Sequence, residues 1–479
     1  MTYRPTKKFT ATIAGISAVA LVLSACSSNS TSSSSSSSAP ASSAAATASA
    51  AGGAASGSAG AADAAADDWC STVKANWPGT EGTSVNIYTT IVGDEQALYE
   101  ESLKPFTECT GAAVTWEGSK EMEAQIGVRV SSGNPPDTAI FPQPGLLTQI
   151  VESSGSVLKV PDVTAANVDK WYNPGVKAYG TVNDIYFGVP NSTNFKSLIW
   201  YSPKFFKEKG YTVPKTYDEV VALSAQIAAA GGKPWCAGIA SGEATGWTLT
   251  DWLEDYVLRT AGPDVYDQWV NHDVKFADPA IANALAEMGK VIKNPAYVNG
   301  GFGDVSSIAS TTFQDGGLPI LKGDCTFHRQ ATFYEANWPA GTTVGPDGDV
   351  NAFYFPSIDE SFGKPVLVGG ETLAAFKDSP AVWALQYYFT TPFYSNTRAK
   401  LGSWLSANKG LEKASVQSEV LKTSLAVLND PATVVRFDAS DLMPAPVGSD
   451  AEWKQFTAWI TGQDDATTLA NIDKAWPTS

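Results

Sequence analysis

Few residues in this chain have the types and spacing that break bonds. Its two histidines, His272 and His328, stand far apart, and neither a His-Glu-x-x-His helix nor a Gly-x-Ser-x-Gly elbow is present. Five cysteines occur, at 26, 70, 109, 236 and 325, without the short spacing of a zinc site, so no metal or cofactor is expected. Hydrolysis of a glycosidic bond needs two carboxylates at a set separation, and 49 acidic residues leave room for such a pair. The more telling chemistry is non-covalent. Fifteen tryptophans in a chain that is 11% aromatic supply flat apolar faces with a polar handle, which suit sugar rings. A neutral sugar has no charge to grip. Its site needs planar polar side chains for the hydroxyls and rings beneath the weakly apolar face, because each hydroxyl buried unpaired costs about 1–3 kcal/mol.

The segment before the body bears on where that chemistry happens. A basic start (Arg4, Lys7, Lys8) leads into an apolar run from Phe9 to Leu23, too short to span a bilayer, and small residues precede Cys26. This reads as an export signal over residues 1–25. Leu23-Ser24-Ala25-Cys26 resembles a bacterial lipobox, which implies lipidation of Cys26 and a protein held at the outer face of the cytoplasmic membrane. Residues 27 to 67 are nearly all Ser, Ala and Gly and bury too little to fold; with Cys26 they form a tether whose ends lie about 35 Å apart. The formal charge is −17, and removing residues 1–25 takes away three positive charges and no negative one, leaving −20. So acidic a surface repels nucleic acid and anionic lipid, so neither is expected as a partner.

Outside the cell the remaining four cysteines read as two disulfides; three pairings are possible, and Cys70–Cys109 with Cys236–Cys325 is the one expected. The body from about residue 68 onward is long enough for two domains. Its first stretch alternates strand and helix: Val85 to Tyr88, a helix from Gly93 to Cys109 stopped by Gly111, Ala113 to Trp116, Lys120 to Ser132, and Thr138 to Phe141. That order predicts a parallel sheet with helices on both faces, where ligands gather beyond the carboxyl ends of the strands. Farther on, Thr216-x-x-Glu219 predicts a capping box, Thr248 to Arg259 and Ala280 to Ile292 predict helices, and Ser197 to Tyr201, Trp235 to Ile239, Val350 to Phe355 and Pro365 to Val368 predict strands.

Several segments, in consistent order over residues 80 to 475, resemble the extracytoplasmic solute-binding proteins of carbohydrate ABC transporters, the alpha-glucoside-binding type in particular and maltodextrin-binding protein more distantly. They include Gly-Asn-Pro-Pro-Asp137, Phe-Pro-Gln-Pro-Gly145, Ser-Leu-Ile-Trp-Tyr201, Lys-Pro-Trp-Cys-Ala-Gly238, Thr-Gly-Trp-Thr-Leu-Thr-Asp-Trp-Leu-Glu-Asp255, Cys325 to Gln330, Val-Gly-Gly-Glu371 and Phe-Lys-Asp-Ser-Pro380. The resemblance implies an α/β chain with the two-lobed periplasmic-binding-protein fold (type II-like), each lobe a mixed sheet flanked by helices, joined by a hinge. Lobe 1 would hold 69–193 plus about 357–398, lobe 2 would hold 196–353 plus about 399–479, and crossings would fall near Thr193 and Phe355.

The resemblance also implies a set of sugar-binding residues. In the first lobe these are Asp94 and Glu95, Phe141 and Gln143, with Asn194 beside the hinge. In the second they are Glu243, Trp247, His328 and Arg329, followed by Gly370, Glu371 and, in a turn-rich stretch, Trp404. Trp453 sits at helical spacing with Phe456 and Trp459, which favours core. The expected activity is a monomeric receptor that closes over a neutral mono- or oligosaccharide and passes it to ABC permease subunits, with no catalysis. The competing readings are a lipid-anchored glycoside hydrolase and a sugar sensor for a membrane kinase.

Overall fold

The computed structural model describes residues 68 to 477, except 302 and 429. The export segment, Cys26 and the Ser/Ala/Gly stretch lie outside them. No helix among the described residues is long and apolar enough to cross a membrane.

The first lobe is built on a six-stranded sheet. Ser84–Thr89 lies between Ala113–Gly118 and Thr138–Phe141, parallel to both, as the alternating pattern predicts. Lys364–Ala375 then adds antiparallel to Thr138–Phe141, and pairs in turn with Gly188–Phe195 and Thr433–Phe437. Aliphatic side chains of the central strands point to both faces: Val85 and Ile87 pack with Tyr99 and Phe106 on one, and Ala139 and Phe141 pack with Ile126 and Leu147 on the other. The expected single helix from Gly93 to Cys109 is two, Asp94–Ser102 and Lys104–Thr110, because Pro105 in the first turn of the second has no N–H to continue the first. Gly111 ends it in the left-handed conformation, φ 68°.

The second lobe gathers around the helix Trp247–Thr260, which is buried almost all round and packs on Pro279–Ile292. Leu198–Tyr201 is the centre of a small antiparallel sheet between His328–Arg329 and Asn351–Tyr354. The capping box forms as read, with Thr216 accepting from the Glu219 N–H and Glu219 accepting from the Thr216 N–H. Of the expected strand Trp235 to Ile239, only Trp235–Cys236 pairs, alongside Val298–Asn299. Both disulfides are those expected, Cys70–Cys109 and Cys236–Cys325.

Two long strands run from one core to the other. Gly188–Phe195 starts with Val189 in the first core and ends with Phe195 against Leu198 and Trp200. Lys364–Ala375 runs the opposite way, from Val366 beside Trp200 to Leu373 and Ala375 in the first core. The first passage is the strand Gly188–Phe195. The second is the strand Lys364–Ala375 and does not lie near Phe355, whose ring is buried among Tyr217 and Tyr256. The expected strand Pro365 to Val368 is longer, and Gly369-Gly370 is the middle of a twelve-residue strand with a register shift between Gly370 and Thr372. A Cβ on Gly369 would stand 2.5 Å from Lys196 Cε, so a larger residue there would displace that lysine. After this passage Ala399, Trp404, Ala407 and Leu411 pack on the first core, not with the second-lobe segments that follow.

Candidate functional site

A cleft of about 520 Å³ lies between the lobes, at the carboxyl ends of the parallel strands. Its first-lobe wall comes from two strand-to-helix loops. Thr90 to Gly93 follows Ser84–Thr89 and places Asp94 and Glu95 in the first turn of the next helix, where the N-terminal dipole favours negative charge. Pro142 and Gln143 follow Thr138–Phe141. Thr372 pairs with Phe141, and that register sets Glu371 beside the same loop. Gln143 is 5% exposed, donates from Nε2 to Glu123 Oε1 at 2.6 Å, and keeps its Oε1 without a partner.

Glu371 accepts from Ser192 Oγ at 2.7 Å and Asn191 Nδ2 at 2.9 Å. Burial, with the Glu371 charge nearby, pushes the Glu95 carboxyl up to about 8. Burial raises Glu123 to about 7 against the lowering effect of its bond to Gln143. Where the strands pass between lobes, Asn194 pairs with Gly369 and Thr193 with Gly370, which brings Asn194 and Gly370 to one point of the lining.

The second-lobe wall is aromatic. Trp247 opens its helix after Gly246, a position closed to other residues because a Cβ there would meet Trp453 O at 2.1 Å with φ at 116°. Its ring stands 5.2 Å from Phe313, at 74°, and 6.0 Å from Phe333. Beneath these rings lies a buried charge network. Lys196 bonds Asp438 and, at 3.0 Å, Asp251; Arg329 bonds Asp251 at 3.2 Å and grips Asp255, which also holds Arg259 at 2.6 Å. Burial raises the Asp438 carboxyl, but Lys196 beside it prevails and holds it at about 2.

Of the residues singled out from sequence, Asp94, Glu95, Gln143, Asn194, Trp247, Gly370 and Glu371 line this one cleft. Five others do not. Phe141 is fully buried against Phe376 and packs the sheet as the last residue of its strand, whereas Gln143 stands beyond the strand end, in the loop that lines the cleft. Glu243 is exposed and outside the lining. His328 is buried, with Nδ1 3.0 Å from the Cys236 carbonyl, and burial lowers it to about 4. Arg329 spends its guanidinium on Asp251 and Asp255. Trp404 stands behind the wall, donating from Nε1 to Tyr99 OH at 3.0 Å.

The lining also holds residues that the sequence reading did not single out: Lys120, Glu123, Lys196, Phe313, Phe333, Asp438 and Asp441. Lys196 left a signal, a charge inside the apolar run Phe195 to Tyr201, whereas Phe313 and Phe333 lie in turn-rich stretches without periodicity. Trp453, read as core, is 4% exposed and also reaches the lining.

Residues 89–392 match the family model of the bacterial extracellular solute-binding proteins. The chain is 36% identical over 411 residues to the osmoprotective compounds-binding protein GgtB of Synechocystis sp., covering 84% of this chain and 95% of that protein. It is 35% identical over 407 residues to the alpha-glucosides-binding periplasmic protein AglE of Rhizobium meliloti, covering 83% and 87%. Among solved structures, the bacterial solute receptor AcbH superposes with a TM-score of 0.71 at 18% identity, covering 83% of this chain and 97% of that one. Two lobes on mixed sheets, two strands passing between them, a cleft walled by both and this agreement over most of the length lead to one conclusion: the chain belongs to the bacterial extracellular solute-binding proteins.

Proposed function

We propose that this protein is the sugar receptor of an ABC importer and that it takes an alpha-glucoside or a similar neutral saccharide. The observation that carries this reading is the division of labour across the cleft. Carboxylates and the Gln143 amide on one wall suit hydroxyls, and the Trp247, Phe313 and Phe333 rings on the other suit the face of a sugar ring. The names of its relatives support the same ligand class. Binding shifts the two lobes toward a closed arrangement that the transporter recognises, and no bond in the ligand changes. The cleft is complete within one chain, so the receptor works as a monomer.

Lipid on Cys26 holds it at the outer face of the membrane, with residues 27–67 as the tether. Calorimetry of the full chain with maltose, trehalose, sucrose and longer glucans tests the ligand class: saturable heat with at least one sugar is expected, and flat titrations across the panel refute it. For the anchor, Cys26→Ser is expected to move the protein from the membrane fraction to the medium, and a variant still bound to membranes contradicts it.

A further inference from the structure

The rings of the second-lobe wall meet at a single place. Trp247 and Phe313 lie 5.2 Å apart with planes at 74°, Trp247 and Phe333 lie 6.0 Å apart at 43°, and Phe313 and Phe333 lie 6.2 Å apart at 79°. All three are partly exposed and line the cleft. Planes this steeply inclined form a corner and not a strip: a flat ring resting on Trp247 presents its edge to Phe313, and no second ring can stack beside it. Among the described residues of the lining the only other ring is Trp453, and it is 4% exposed.

The opposite wall offers no aromatic face at all. Its polar groups include Asp94, Glu95, Lys120, Glu123, Gln143 and Glu371, with the small apolar faces of Ile91, Val92 and Pro142 between them. A longer oligosaccharide laid through a cleft needs a fresh flat apolar face for each buried ring, and this wall supplies polar groups with only small aliphatic patches instead. The volume, about 520 Å³, agrees with a small ligand, being in the lower half of the range for pockets that enclose one.

We propose that Trp247, Phe313 and Phe333 form one stacking corner for one pyranose ring, so that the ligand is a mono- or disaccharide and not a longer chain. This rests on the sugar reading and sharpens it. In a disaccharide the second ring reaches across to the polar wall, where Gln143 keeps its oxygen unpaired and Glu371 is already oriented by Ser192 and Asn191.

The test is a length series on the unaltered full chain, by calorimetry with glucose, maltose, maltotriose, maltotetraose, trehalose and sucrose. The tightest disaccharide is expected to bind at least about tenfold more strongly than maltotriose or maltotetraose, a difference of about 1.4 kcal/mol. Phe313→Leu and Phe333→Leu keep the apolar volume but remove the flat face, and each is expected to weaken that disaccharide by about tenfold with the melting temperature little changed. Binding of maltotriose or maltotetraose as tight as the best disaccharide overturns the length limit and leaves the sugar reading standing. Both leucine variants binding within about twofold of the unaltered chain overturns the corner. A series in which nothing binds removes the sugar reading itself, and this proposal with it.

Discussion

Acidic side chains in this cleft titrate where their surroundings put them. Burial and the Glu371 charge lift Glu95 to about 8 from an ordinary 4.5, whereas Asp438, against Lys196, sits at about 2. The raised value has a defined sign. Between about 4.5 and 8 the folded chain holds a proton on Glu95 that the unfolded chain has released, so this group's contribution to stability falls as pH rises through that window. The melting temperature is expected to drop from pH 5.5 to pH 8, and Glu95→Gln should flatten that slope; an unchanged slope in the variant contradicts it.

At this scale the sequence was legible where loops follow strands, since Asp94, Glu95 and Gln143 are positioned by backbone direction alone. It was not legible for Phe313 and Phe333. Only tertiary packing brings those turns to Trp247. His328 and Arg329 were read as ligand-facing; the Cys236 carbonyl holds the first in the interior, and the carboxylates Asp251 and Asp255 hold the second beneath the wall.

The parallel strands and the long helices follow from patterning, whereas the passages between lobes depend on a contact that patterning does not carry. Lys196 joins three elements: its backbone N–H donates to Leu367 O at 2.8 Å, its stem lies under Gly369, and its ammonium bonds Asp251 on the Trp247–Thr260 helix and Asp438 at the end of Thr433–Phe437. At 7% exposure it is the cation that neutralises this junction. Lys196→Met leaves the buried Asp438 without its cation and Asp251 with Arg329 alone, and the expected loss is about 3–5 kcal/mol in a urea melt. A loss under about 1 kcal/mol contradicts the assignment. The same junction explains why the strand runs on past the expected end at Val368: two glycines in an apolar run normally weaken a strand, and here they make room for a lysine and for the crossing strand.

The molecule as a whole combines a strongly acidic chain, at −17, with one cleft whose two walls differ in chemistry. Among the described residues the first-lobe wall has no aromatic ring. The aromatic rings come from the second lobe, and Glu95, Gln143 and Glu371 from the first, so a ligand that touches both walls makes contacts that neither lobe supplies alone. The family likeness indicated two lobes and a hinge, but not that Trp404 would sit behind the wall or that the stretch around it would pack on the first core.

A crystal structure of the full chain grown with its tightest-binding disaccharide tests this joint grip most directly. The account predicts one sugar ring lying on Trp247 between Phe313 and Phe333, with hydroxyls of the same ligand within about 3.2 Å of Gln143 or Glu371. A sugar held by one lobe alone, or seated outside this cleft, would contradict it.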